Sequence, residues 1–129
     1  MKATTIVVQT LIRLVWLTLI VLGSLFWSGS ALALVGIHMD LGVIFVLLLW
    51  VIAALALYAR AGLGLGVIAI VWGLVVAGYG MAMPQMLAGG NAWPIGVGHL
   101  LIGIIGIGFA EMLGARIKRR IRGAVPAAL

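Results

Sequence analysis

The chain contains no cysteine. That excludes a disulfide, a thiolate metal site, a cysteine-held iron–sulfur cluster and a covalently attached c-type haem through this sequence. Acidic side chains are almost as scarce, with Asp40 and Glu111 standing against eight lysines and arginines in 129 residues. Two carboxylates that far apart give no pair for general acid–base work and no oxygen cage for a hard cation. A nucleophile–base pair and a phosphate-cradling glycine loop are also missing, so an enzyme acting alone is not expected. Charged residues make up only 8% of the chain, and the apolar runs carry almost no polar lining for a transport path.

What is present in excess is apolar surface. Hydrophobic residues make up 66% of the chain and the mean hydropathy is +1.39. A water-soluble fold of this size leaves much of its area exposed and cannot hide that much apolar surface. The length allows one compact unit. A net charge of +6 would suggest nucleic acid in a soluble protein. Here Arg116, Lys118, Arg119, Arg120 and Arg122 follow the last apolar run, where basic clusters face anionic headgroups rather than nucleic acid.

Hydropathy and the need for about 20 apolar residues per crossing predict four spans. They cover about Leu11–Ala33, Leu41–Ala59, Gly62–Met83 and Ile95–Leu113, with a basic tail over 114–129. Pro84 is expected to end the third span, and Pro94 suits the first position of the fourth. The run Leu14–Ile37 is longer than a signal-peptide core, so the first segment reads as a span; cleavage near Ser28-Gly29-Ser30-Ala31 is the competing reading. Short connections predict an all-α, integral membrane, up-and-down four-helix bundle. Lys2, Arg13, Arg60 and the Arg116–Arg122 cluster fall on one side, which the positive-inside rule places in the cytoplasm with both termini. A bacterial inner membrane is the expected location.

Nineteen glycines are concentrated in the third and fourth spans, where small residues let helix backbones approach or let copies associate. Trp50 and Trp72 sit mid-span, away from the interfacial belts; they suit either a cofactor or the space that a neighbouring helix's glycines leave open. Arg13 and Glu111 both fall about one turn inside the basic boundary and are expected to pair, because a pair costs less there than two isolated charges. A proton-transfer or quinone-binding role for Glu111 is the alternative.

Two stretches carry the remaining chemistry, Gly36-Ile37-His38-Met39-Asp40-Leu41-Gly42 and Gly96-Val97-Gly98-His99-Leu100-Leu101-Ile102-Gly103. Each sets a histidine one helical turn before a glycine at the opposite membrane face from the arginines. The two halves share this order of helix, outer turn, H-x-x-x-G and helix, which suggests tandem duplication of a two-helix unit. Imidazoles from two helices of a bundle can hold a haem iron from both sides.

The H-x-x-x-G pair resembles the haem-ligand helices of small multi-helix membrane b-type cytochromes. The resemblance implies haem b held by His38 and His99, Gly42 and Gly103 clearing space for the porphyrin, and electron transfer in a respiratory or photosynthetic chain, with quinone as a candidate redox partner. Two features oppose it. His38 lies 22 residues before Arg60 and His99 lies 17 before Arg116. At about 1.5 Å per residue, that puts the two histidines at depths roughly 7 Å apart. Asp40 is also a good N-cap, which would leave His38 in the turn. The competing readings are interfacial histidines bonded to loop carbonyls or water, and a cofactor-free accessory subunit docking a larger complex through its Gly-rich faces and basic tail. A third is outer-face copper held by Met39, Met81, Met83 and Met86 with histidine, since thioethers and imidazole suit Cu(I).

Overall fold

The computed structural model describes residues 1–90 and 92–123; Asn91 and the end of the predicted basic tail, 124–129, lie outside the described residues. Four helices follow one another: α1 (Lys2–Trp27), α2 (Val35–Tyr58), α3 (Leu63–Leu87) and α4 (Ala92–Gly123). Each is long and apolar enough to cross a membrane. Sequential neighbours pack together, α4 closes the bundle against α1, and α2 and α4 also touch across the diagonal.

The helix ends differ from the sequence expectation for identifiable reasons. α1 stops at Trp27 instead of near Ala33. Gly29 (φ +75°) takes the left-handed position, its N–H donates to the Phe26 carbonyl, and the Ser30 N–H donates to Leu25. These are the paired bonds of a Schellman stop. After a single 3-10 turn at Leu32–Leu34, α2 begins at Val35, well before Leu41. Leu34, not Asp40, is the residue before the first turn, so His38 is helical and Asp40 is an exposed residue within α2. α3 does not end at Pro84 but runs to Leu87. Proline lacks an N–H, so the Gly80 carbonyl loses its helical donor there, and so near a helix end that loss is tolerated. α4 continues through most of the basic segment.

The end of α2 repeats the α1 stop with one change. The N–H groups of Arg60 and Ala61 bond to the Leu57 and Ala56 carbonyls, and Arg60 (φ +50°) occupies the left-handed position that Gly29 occupies after α1. For a residue with a Cβ that backbone costs about 1–2 kcal/mol.

Packing is uneven along the bundle. Ile12, Leu49, Ile52, Ala53, Ala56, Ala69, Ala110, Leu113 and Ile117 are completely buried, all between mid-bundle and the basic end. Phe45, Val46, Val76 and Gly106 close this core. Beyond them, toward the histidine end, Leu22 is the only buried residue among those described. The exterior is as apolar as the interior, with Leu14, Leu17, Val21, Leu74 and Val71 all more than half exposed. Apolar burial therefore does not by itself select the packing; close backbone approach and directed hydrogen bonds do.

Three aromatic side chains supply those bonds by one device. Trp50 Nε1 on α2 donates to the Ile70 carbonyl of α3 (3.1 Å), and its indole occupies the place of a Cβ on Gly73. Trp72 Nε1 on α3 donates to the Ile102 carbonyl of α4 (3.0 Å), near Gly106, where Phe45 also packs. The Tyr79 hydroxyl on α3 donates to the Ile95 carbonyl (2.9 Å) and lies 2.7 Å from where a Gly98 Cβ would stand. A helical carbonyl keeps a second lone pair after its own helical bond, and a glycine three or four residues later uncovers it. Trp50 and Trp72 thus fill the space left by glycines on the next helix.

Candidate functional site

The histidine end is where the bundle opens, and it brings His38 and His99 together. His38 is the fourth residue of α2 and His99 the eighth of α4, yet their ring centres are 6.1 Å apart, the planes inclined by 50°. The predicted depth difference does not separate them. Arginines are poor depth markers, because a long side chain lets its backbone stand at another height. Arg116 reaches across to the α2–α3 turn, its Nη1 2.8 Å from the Cβ position of Gly62.

Each ring has an aromatic neighbour. Phe26 at the end of α1 meets His38 edge to face with centres 5.4 Å apart, and Tyr79 stacks on His99 at 5.9 Å and 20°. The Tyr79 hydroxyl is tied to Ile95 on the same helix as His99, so the phenol ring and the imidazole are held as one unit. Small residues surround the pair. A Cβ on Gly23 would lie 3.8 Å from His38 Cε1, and one on Gly80 would lie 3.9 Å from His99 Cε1. Gly80 is also the residue whose carbonyl Pro84 leaves without its helical donor.

Among the described residues, three buried side-chain polar atoms have no hydrogen-bond partner: His38 Nδ1, His99 Nδ1 and Trp16 Nε1. The two imidazole nitrogens belong to this pair of rings, whereas Trp16 Nε1 lies deeper in the bundle, 4.0 Å from the Cβ position of Gly103, one turn along α4 from His99. Trp16 approaches α4 as Trp50 and Trp72 approach their neighbours, but its N–H finds no acceptor. Leaving such groups unpaired costs about 1–3 kcal/mol each, and native folds rarely leave them buried without a ligand or a water to satisfy them.

The glycines expected to clear a porphyrin differ in setting. Nothing stands within 4 Å of a Cβ on Gly42, so that side of His38 is open, whereas Gly103 faces Trp16. The methionines point elsewhere: Met39, Met81 and Met86 are exposed and Met83 is half-buried. No group of three or more His, Cys, Asp or Glu side chains able to hold a metal ion occurs among the described residues.

A second polar constellation lies nearer the basic end. Arg13 clasps Glu111 with Nε on Oε1 and Nη2 on Oε2, both at 2.6 Å, and Gln9 Nε2 adds a third bond at 3.2 Å. Gly114 makes room for the glutamine, whose amide fills the space of a Cβ there. The ion pair is partly exposed on the bundle's flank, with 53% and 38% of the two side chains accessible. It ties α1 to α4 and lies apart from the histidines.

Phe26, Tyr79, Trp16, Gly23, Gly80 and Gly98 were not singled out by the sequence. One signal was legible: Gln9, Arg13, Trp16 and Gly23 recur at helical spacing on α1, a polar and small stripe against apolar flanks. The part played by Tyr79 depends on the α3–α4 pairing and had no such signal. No family model matches the chain, and no curated protein or solved structure is detectably similar to it.

Proposed function

We propose that this chain is a small integral-membrane electron-transfer subunit that holds a haem b between His38 and His99. The observation that carries the reading is the convergence of both imidazoles, each with a buried nitrogen that has no partner, in the part of the bundle with few buried side chains. With ring centres 6.1 Å apart on two different helices, His38 and His99 are the residues that would hold the group. Gly23 and Gly80 set no side chain against the two imidazoles, and nothing stands within 4 Å of a Cβ on Gly42, one turn from His38. The group would supply reversible one-electron chemistry.

The chain's own residues bind, orient and shield. His38 and His99 present nitrogen ligands from α2 and α4, and the device that locks Tyr79 to Ile95 fixes the plane of the His99 ring. Phe26 backs the other imidazole. The Trp16 N–H, without a partner in the protein and one turn along α4 from His99, would be available to a polar group of a bound ligand. By the positive-inside rule the arginine end is cytoplasmic, and the histidines then lie toward the outer face of a bacterial-type inner membrane. Electrons would pass there between a quinone pool and a partner subunit.

A reduced-minus-oxidised absorbance spectrum of the purified chain tests this. A b-type α band is expected, and His99→Ala should abolish it while the helical content stays unchanged. A flat spectrum after expression with ample haem overturns the reading and leaves the cofactor-free accessory subunit in its place.

A further inference from the structure

At the opposite end of the bundle, four arginines from two separate elements converge, with no acidic side chain among the described residues beside them. Arg60 comes from the α2–α3 turn, and Arg116, Arg119 and Arg120 come from one face of the last turns of α4. Together with Ala61 and Gly123 they line an open cleft of about 580 Å³. The sequence has only two acidic side chains, and neither can neutralise this cleft. Glu111 is already engaged by Arg13, and Asp40 lies near the other end.

The cleft is built by its backbone as well as its charge. Arg60 occupies the left-handed Schellman position that glycine takes after α1. Gly62 (φ +137°) lets the stem of Arg116 lie across the turn, with Cδ 3.3 Å and Nη1 2.8 Å from the missing Cβ. Helix dipoles welcome a cation or two near a C-terminus, yet they do not call for four guanidiniums around one space. Every charged group lining the cleft is an arginine; Lys118 lines a separate, smaller cleft with Ala115, Arg119 and Arg122. Arginine's planar fork suits paired hydrogen bonds to phosphate oxygens, whereas lysine offers only a point charge.

We infer that this cleft is a specific site for the phosphate of an anionic phospholipid headgroup. Its position argues for a lipid over a soluble anion. Arg116 is the first basic residue of α4, and Tyr58 (80%), Leu63 (61%) and Met112 (46%), within four residues of Arg60 or Arg116 in the sequence, are exposed. The arginines thus stand where the apolar exterior of the bundle ends, the level at which a lipid carries its phosphate. The site is independent of the histidine pair.

Native mass spectrometry of the full chain in neutral detergent tests it, with a lipid bearing two phosphates (diphosphatidylglycerol), phosphatidylcholine and inorganic pyrophosphate as separate probes. The expected result is one anionic lipid retained per chain and preferred about tenfold over phosphatidylcholine, the factor that one charge-assisted hydrogen bond supplies. Arg60→Lys with Arg116→Lys keeps the net charge and should lose that preference, whereas Lys118→Gln should keep it. Three outcomes overturn the inference: no preference for the anionic lipid, pyrophosphate displacing it at equal concentration, or the arginine-to-lysine variant binding as the native chain does. The lipid and pyrophosphate arms use the native chain, so they decide the matter even if a variant fails to fold.

Discussion

The two ends of this bundle are made from the same residue types and packed to opposite purposes. From mid-bundle toward the arginines, glycine and alanine let α2, α3 and α4 close on a core of fully buried side chains, and Trp50 and Trp72 each find a carbonyl. Toward the histidines, glycine is just as frequent but the core thins to Leu22, and both imidazoles keep a buried nitrogen unpaired. A glycine in a membrane helix therefore has two uses. Where a neighbouring aromatic reaches over it, it brings helices together; where none does, as at Gly42, it leaves space. The difference lies in the partner across the interface and not in the glycine.

That contrast can be broken from the tight side. Gly73→Leu sets a side chain where the Trp50 indole lies, and overpacking of this kind costs about 1–3 kcal/mol or more. It should give the largest loss of thermal stability in detergent; an unchanged midpoint would mean that the indole–glycine contact does not hold α2 to α3. Glu111→Gln comes next. It leaves the forked Arg13 without its charge partner and should lower stability by about 1–3 kcal/mol, less if solvent or lipid headgroups reach the exposed guanidinium. Glu111→Gln with Arg13→Gln should recover part of that loss, as measured by a double-mutant cycle.

A matched pair of tryptophan changes sharpens the comparison. Trp50→Phe discards the bond to Ile70 and should cost about 1 kcal/mol, whereas Trp16→Phe discards no bond within the protein and should be close to neutral for the chain without cofactor. If the histidine end holds haem, Trp16→Phe should instead move the absorbance maximum or midpoint potential, which Trp50→Phe should not. Equal stability losses from the two would contradict the division drawn here. The smallest effect on stability is expected at Gly42. Gly42→Ala meets nothing within 4 Å and should stabilise the apo-chain by up to about 1 kcal/mol through helix propensity. Gly42→Trp should be nearly as benign to the apo-chain yet reduce haem uptake, read as the haem-to-protein absorbance ratio.

Some of this organisation needed only the order of the residues. Helix number and the separation of arginines from histidines follow from apolar run length and the placement of a few charges. The Arg13–Glu111 partnership was legible too, because two isolated opposite charges in apolar runs have few other places to go. Helix boundaries were less legible. Pro84 reads as a stop, yet proline in a last turn removes one bond that a helix end can spare, and Asp40 reads as a cap although the chain had already turned helical at Val35.

The sequence by itself determined that the chain forms four long apolar helices with basic residues at one end and its only imidazoles toward the other, because hydropathy and charge act locally and add along the chain. Helix packing alone sets the two imidazoles 6.1 Å apart, stacks Tyr79 on one of them and brings Arg60 to the α4 arginines. Those facts depend on how each helix is rotated and how far it slides against its neighbours. In an exterior as apolar as the core, no hydrophobic face dictates that choice. It is made by which glycine lies beneath which aromatic ring, an interaction between residues as far apart as Trp16 and Gly103 that no local pattern announces.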